Sequence, residues 1–156
     1  MQEEAALTTQ AVPSPSDPAE LPERIVLFDG ECAVCDASVQ WIRDHDPERR
    51  FHFAPLQGPT AAAILARHPE LPADLDSLVL VHRRDGDESV AWYTDAVLGI
   101  ASELPGIWSY AGWLRVVPAV LRDPAYRVFA AVRYRVFGRL DQCRLPTPEE
   151  AHLFLA

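Results

Sequence analysis

Apolar residues change their spacing along this chain, and each change marks an element. Ile25-Val26-Leu27-Phe28 is an unbroken apolar run, the pattern of a short buried strand. From Ala33 to His45 the apolar positions include Val34, Val39 and Ile42, a helical spacing, and Pro47 follows its end. Phe51–Pro55 alternates and predicts a second strand. Pro59 opens a second helix through Ala61–Arg67, at the first-turn position where a missing N–H costs nothing. Leu78–His82 and Ser89–Tyr93 flank Asp85-Gly86, a dipeptide that favours a tight hairpin turn. A helix from about Asp95 to Glu103 then stops at Pro105-Gly106.

Strand, helix and strand within about 30 residues make a βαβ unit, which forces its two strands parallel. An antiparallel hairpin and a helix follow. This connectivity predicts an α/β protein of the thioredoxin-like class. Its mixed sheet has four strands in the order 4-3-1-2, flanked by helices on both faces. An extra helical region begins at about residue 112. Trp113–Leu121 reads as one amphipathic piece. Asp123-Pro124 reads as cap and first residue of another, running to Phe137 with Gly138 as its stop. Ala125, Val128, Phe129, Val132 and Val136 fall on one face of that helix and predict its inward side. Arg127, Arg133, Arg135 and Arg139 fall mostly elsewhere. Trp41, Trp92, Trp108 and Trp113 read as core rather than as ligand platforms.

Composition adds boundaries to this picture. The 156 residues make one domain's worth of chain, with 49% hydrophobic residues. Residues 1–23 hold Pro13, Pro15, Pro18 and Pro22 and five acids without a base. Such a segment buries too little to order itself, so the tail 1–23 reads as disordered and residues 24–156 as a single domain. The formal charge of −9 is uneven. Residues 24–111 carry 14 acids against 7 Arg, whereas residues 112–144 carry 7 Arg against Asp123 and Asp141. Overall acidity argues against coating nucleic acid. The Arg-rich C-terminal third reads as a solvated helix face or, in a sharper reading, as a peripheral contact with an anionic partner or membrane surface. No secretory pattern and no apolar run long enough to span a membrane is apparent, and three cysteines do not suit a stapled secreted scaffold. The expected location is cytoplasmic.

Chemistry concentrates in Asp29-Gly30-Glu31-Cys32-Ala33-Val34-Cys35. A C-x-x-C pair between a strand and a helix is the pattern of a dithiol that opens and closes as a disulfide. Unpaired N–H groups at a helix N-terminus favour the thiolate, which is the nucleophile. The three-residue step puts both sulfurs on one helix face. In a thioredoxin-like frame, Cys32 sits exposed at the helix tip as nucleophile, and Cys35 lies deeper and resolves the mixed disulfide. Negative charge at Asp29, Glu31 and Asp36 opposes thiolate formation and predicts a reducing or mid-range potential. Other readings remain. The pair could be inert, or half of a zinc site, although four ligands are usual and only Cys143 and five unpaired histidines remain. Cys143 is a buried small hydrophobe or a third redox thiol. Asp29 is a turn residue acting with Gly30, or a proton acceptor for Cys35. Gln57, at the end of the second strand, hydrogen-bonds beside the dithiol or fixes a loop.

Asp29-Gly30-Glu31-Cys32-Ala33-Val34-Cys35 resembles the D-G-x-C-x-x-C signature of the DCC family, also called DUF393 or YuxK-like. The resemblance continues in Leu56-Gln57, in Leu121-Arg122-Asp123-Pro124-Ala125-Tyr126-Arg127, in Arg133-Tyr134-Arg135-Val136-Phe137-Gly138-Arg139 and in Asp141-Gln142-Cys143-Arg144-Leu145-Pro146. It covers nearly everything after the tail. It implies a thioredoxin-like fold and thiol–disulfide oxidoreductase chemistry, and no known substrate. Thioredoxins proper carry a cis-proline just before the third strand. Here Asp76-Ser77 precedes Leu78, which leaves Ser77 in that place and weakens the expectation of a peptide substrate. The expected function is thiol–disulfide exchange by Cys32 and Cys35, needing no metal or organic cofactor. The expected partner is an unidentified protein or small-molecule thiol or disulfide. The competing expectations are a non-catalytic interaction module using the C-terminal helices, and a zinc-binding structural protein.

Overall fold

The structure, a computed structural model, describes residues 21–141 and 146–156. In chain order these are β1 (Arg24–Phe28), α1 (Ala33–His45), β2 (His52–Pro55), α2 (Pro59–Arg67), β3 (Val79–Arg84), β4 (Asp87–Trp92) and α3 (Tyr93–Glu103). A 3-10 segment (Gly106–Val116), α4 (Ala119–Phe137) and a short 3-10 turn (Ala151–Leu153) complete them. The sheet order is β2-β1-β3-β4, the order expected from sequence read from its other edge. β1 runs parallel to β2 and antiparallel to β3, and β3 runs antiparallel to β4. This is the connectivity of a thioredoxin-like fold.

The unbroken apolar run of β1 is explained by burial on both sides. Val26 and Phe28 pack with Val39 and Ile42 of α1 and with Ala96 and Ile100 of α3. Ile25 and Leu27 point the other way, into Ala61 and Ile64 of α2. Period-two alternation divides a single apolar string between two cores. At the β3–β4 hairpin Asp85 and Gly86 both have positive φ, 53° and 89°, as a type I′ turn requires. At the opposite edge, β2 is extended by the chain's far end. Phe53 forms a parallel bridge with Phe154, and the Leu155 N–H donates to the Phe53 carbonyl at 2.8 Å.

Two expectations fail in the C-terminal region. Trp113–Leu121 is not one helix, because a residue that precedes proline is held out of helical geometry. The chain breaks at Val117-Pro118, and α4 starts at Ala119. Asp123-Pro124 is therefore not its cap. Pro124 lies inside the helix, at the cost of one backbone hydrogen bond. The expected inward face is also wrong. Val128, Val132 and Val136 are exposed, whereas Ala130 and Arg133 are the buried positions of α4. Trp41 and Trp92 pack against the two cores as expected, but Trp108 and Trp113 are exposed. Among the described residues no helix is long and apolar enough to cross a membrane.

Candidate functional site

The site is assembled on the loop between β1 and α1. Cys32 is the N-cap of α1, in extended conformation, and its sulfur accepts the Cys35 N–H at 3.3 Å. A sulfur here does what Ser or Asp does at other helix starts: it takes up one otherwise unpaired donor. The loop is fixed on two sides. Asp29 Oδ1 accepts the Glu31 N–H at 3.0 Å, closing an Asx turn. Gln57, just beyond β2, accepts the Gly30 N–H at 3.2 Å through Oε1 and donates from Nε2 to Asp29 Oδ1 at 3.0 Å. Asp29 thus closes the turn, and Gln57 links the dithiol loop to the end of β2.

α4 supplies the other half. Arg133, only 2% exposed, brings Nη2 to 3.6 Å from Asp29 Oδ2 and 3.2 Å from Asp76 Oδ2. It also donates to the Asp76 carbonyl and, at 2.9 Å, to the Tyr134 hydroxyl. The Tyr134 hydroxyl in turn donates to Asp29 Oδ2. The guanidinium groups of Arg133 and Arg139 lie 4.5 and 4.6 Å from the Tyr134 ring centre. Sequence reasoning assigned Arg133 to a solvated face. The signal that would have found it is the helical series Tyr126, Ala130, Arg133 and Phe137, which shares a face with Tyr134.

These contacts decide the local electrostatics. Burial pushes the Asp29 carboxyl up, but hydrogen bonds from Tyr134, the Glu31 N–H and Gln57, with the Arg133 charge, pull it below its ordinary value. Its negative charge is therefore spent on partners, and a buried cation stands beside the dithiol. Cys35 is pushed up to about 12, first by burial and then by its hydrogen bond with Cys32 and the charge there, against the pull of Arg133. Burial likewise raises the Tyr126 phenol, which lies near Ser77, Cys35 and Arg133. Ser77 is fully buried directly ahead of Leu78, and its hydroxyl lies beside the Tyr126 phenol.

Cys32 is buried, 1% exposed, and is not the exposed helix-tip thiol expected from sequence; Cys35 is buried too, at 5%. The cause is the chain after α4. Gly138 turns it with φ 83°, Arg139 bridges to Cys32, and the Leu140 N–H donates to the Glu31 carbonyl at 2.8 Å. This strap lies over the start of α1. Cys35 lines a cavity of about 560 Å³, together with Leu78, Leu98, Val117, Tyr126 and Phe129. Among the described residues no group of three or more His, Cys, Asp or Glu converges to hold a metal. Cys143 lies outside the described residues.

The model of the DCC1-like thiol–disulfide oxidoreductase family matches residues 26–139. The uncharacterized protein YuxK of Bacillus subtilis is 34% identical over 137 residues, which cover 87% of this chain and 96% of that one. A chloroplastic DCC family protein of Arabidopsis thaliana is 38% identical over 123 residues, covering 78% of this chain and 69% of that one. No solved structure gives a significant match.

Proposed function

The chain belongs to the DCC1-like thiol–disulfide oxidoreductase family, and from that premise we propose that Cys32 and Cys35 exchange a dithiol and a disulfide with a partner thiol or disulfide. The observation that carries the reading is that the Cys32 sulfur caps α1 on the Cys35 N–H, which sets the two cysteines together on the helix's first turn, near the buried Arg133. In the reducing direction the Cys32 thiolate attacks one sulfur of the partner disulfide. The partner's S–S bond breaks, and its other sulfur leaves and takes a proton. Cys35 then loses its proton and attacks the Cys32 sulfur of the mixed disulfide. The Cys32–Cys35 bond forms and the second partner sulfur is released. Two electrons and two protons pass to the partner, and the reverse sequence oxidises it. No metal or organic cofactor is required.

The site supports a division of labour. Arg133 provides positive charge that an ionised Cys32 can pair with. Cys35, held as a thiol by burial, stays unreactive until the mixed disulfide forms and Cys32 no longer carries charge. Asp29 and Gln57 hold the loop, and the lowered Asp29 carboxyl is a poor proton acceptor. The strap over Cys32 must lift before a partner reaches that sulfur.

Differential alkylation with mass spectrometry, across a series of glutathione potentials, tests the reading. A reversible Cys32–Cys35 disulfide is expected. Cys35→Ser is expected to trap a mixed disulfide on Cys32, and Cys32→Ser to trap none. Absence of a reversible disulfide at every potential would overturn the proposal.

A further inference from the structure

α4 carries an apolar stripe that no described residue covers. Leu121, Ala125, Val128, Val132 and Val136 recur at three- and four-residue spacing on one side of the helix, and all are exposed. The stripe is the face that periodicity alone assigns to a core. It continues onto the 3-10 segment, where Tyr110, Trp113 and Val116 are also exposed, Trp113 at 77%. Leu114 of that segment and Val117 just after it line the cavity that holds Cys35 together with Phe129 of α4, so the two surfaces join. Exposed apolar surface of this extent marks an interaction site.

The charges around it select the partner. Arg115, Arg127, Arg135 and Arg139 are exposed between residues 105 and 140, and that span contains no exposed acid. The only acid there is Asp123, which accepts a hydrogen bond from Thr94. Residues 24–111, by contrast, carry a net charge of −7, from 14 acids and 7 Arg. The molecule is therefore polarised, with its apolar surface at the positive end. Two copies meeting stripe to stripe would bring like charges together. A stripe of Val and Leu rimmed by Arg, with Trp and Tyr beside it, matches what holds a helix in the headgroup region of a bilayer.

We propose that the 3-10 segment and α4 seat this protein on an anionic lipid surface, with the stripe in the headgroup–acyl boundary and the arginines on the phosphates. The acidic remainder then faces away from the membrane. The cavity lined by Cys35, Leu114, Val117 and Phe129 then lies beside the lipid. Docking adds a place to the site's chemistry and does not depend on that chemistry being redox.

Flotation of the full chain with vesicles of phosphatidylcholine, alone or mixed with phosphatidylglycerol, tests this. Binding to the mixed vesicles is expected, with a blue shift in tryptophan fluorescence. Neutral vesicles should bind at least tenfold more weakly, and added salt should release the protein from the mixed ones. Each arginine near such a surface is worth about fivefold in partitioning, so Arg127→Gln with Arg135→Gln should lower binding more than tenfold. Trp113→Ser with Val128→Ser should do the same while leaving the circular dichroism spectrum unchanged. Failure to bind the mixed vesicles, or equal binding to neutral ones, would overturn the proposal. So would a dimer in sedimentation velocity that Val128→Ser dissociates and vesicles do not compete with.

Discussion

The region from β1 to α3 and the region from the 3-10 segment through α4 use their hydrophobic residues in opposite ways. In the first, the apolar positions are the buried ones. Ile25, Val26 and Leu27 are fully enclosed, and helices on both faces of the sheet cover them. In the second, Leu121, Val128 and Val136 are exposed, and the residue driven deepest is an arginine. The sheet region is held by area removed from water. α4 is tied to it by ion pairs and hydrogen bonds at two places, around Asp29 and between Arg122, Asp123 and the start of α3 at Thr94 and Asp95. The comparison teaches that the two halves of the site are held by different forces, and that each should answer to a different perturbation.

The largest expected effect is at the junction. Arg133→Met leaves Asp29 and Asp76 facing one another without their cation, and is expected to cost about 3–5 kcal/mol in chemical denaturation. Combining it with Asp29→Asn should cost less than the two single changes added together, because the unpaired charge is removed as well. Additive losses would break the comparison. Next come matched leucines. Leu27→Ala, at a fully enclosed position, should cost about 2–5 kcal/mol. Leu121→Ala, 68% exposed, should stay within about 0.5 kcal/mol. Comparable losses at both positions would mean that α4 packs as the sheet region does.

A smaller change separates hydrogen bonding from charge. Tyr134→Phe removes the donor to Asp29 Oδ2 and should cost about 1.5–3 kcal/mol near neutral pH. The folded Asp29 carboxyl sits below its ordinary value. Its stabilisation is therefore present above the unfolded carboxylate range and lost as pH falls through the folded value. Without Tyr134 the depression shrinks, so acid unfolding should begin at a higher pH. The smallest effect lies far from α4. Burial lowers His68, but its hydrogen bonds to Glu70 and Glu88 outweigh this and raise it. The stabilisation is complete below the unfolded value of about 6.5 and fades as pH rises through the folded one. His68→Gln should lower stability by up to about 0.5 kcal/mol in mild acid and by less above neutrality.

The sheet, its order and the hairpin turn were legible because two physical rules act locally there. Alternation sets which face a strand residue takes, and Asp-Gly tolerates positive φ. The dithiol loop was legible for the same reason, down to Gln57 beside Gly30. The other half of the site was not. Periodicity counts apolar residues as inward, and α4 has its apolar stripe outward and a charged residue inward. Nothing local to Arg133 states that Asp29, more than 100 positions earlier, needs a cation. Enclosure of Cys32 was hidden likewise, since it depends on a bridge to Arg139. The break at Val117-Pro118 was readable from proline's effect on its predecessor.

The far end of the chain has a consequence for behaviour in solution. β2 pairs with β1 on one side only, and a strand with an open side is a template on which another molecule can lay its own backbone. Phe154 and Leu155 occupy that side, and the Phe154 ring packs against Phe28 and Phe53. Phe154 and Leu155 thus cover part of the open side of β2. A chain ending at Glu150 is expected to keep its dithiol loop and lose its solubility, with light scattering rising as concentration increases.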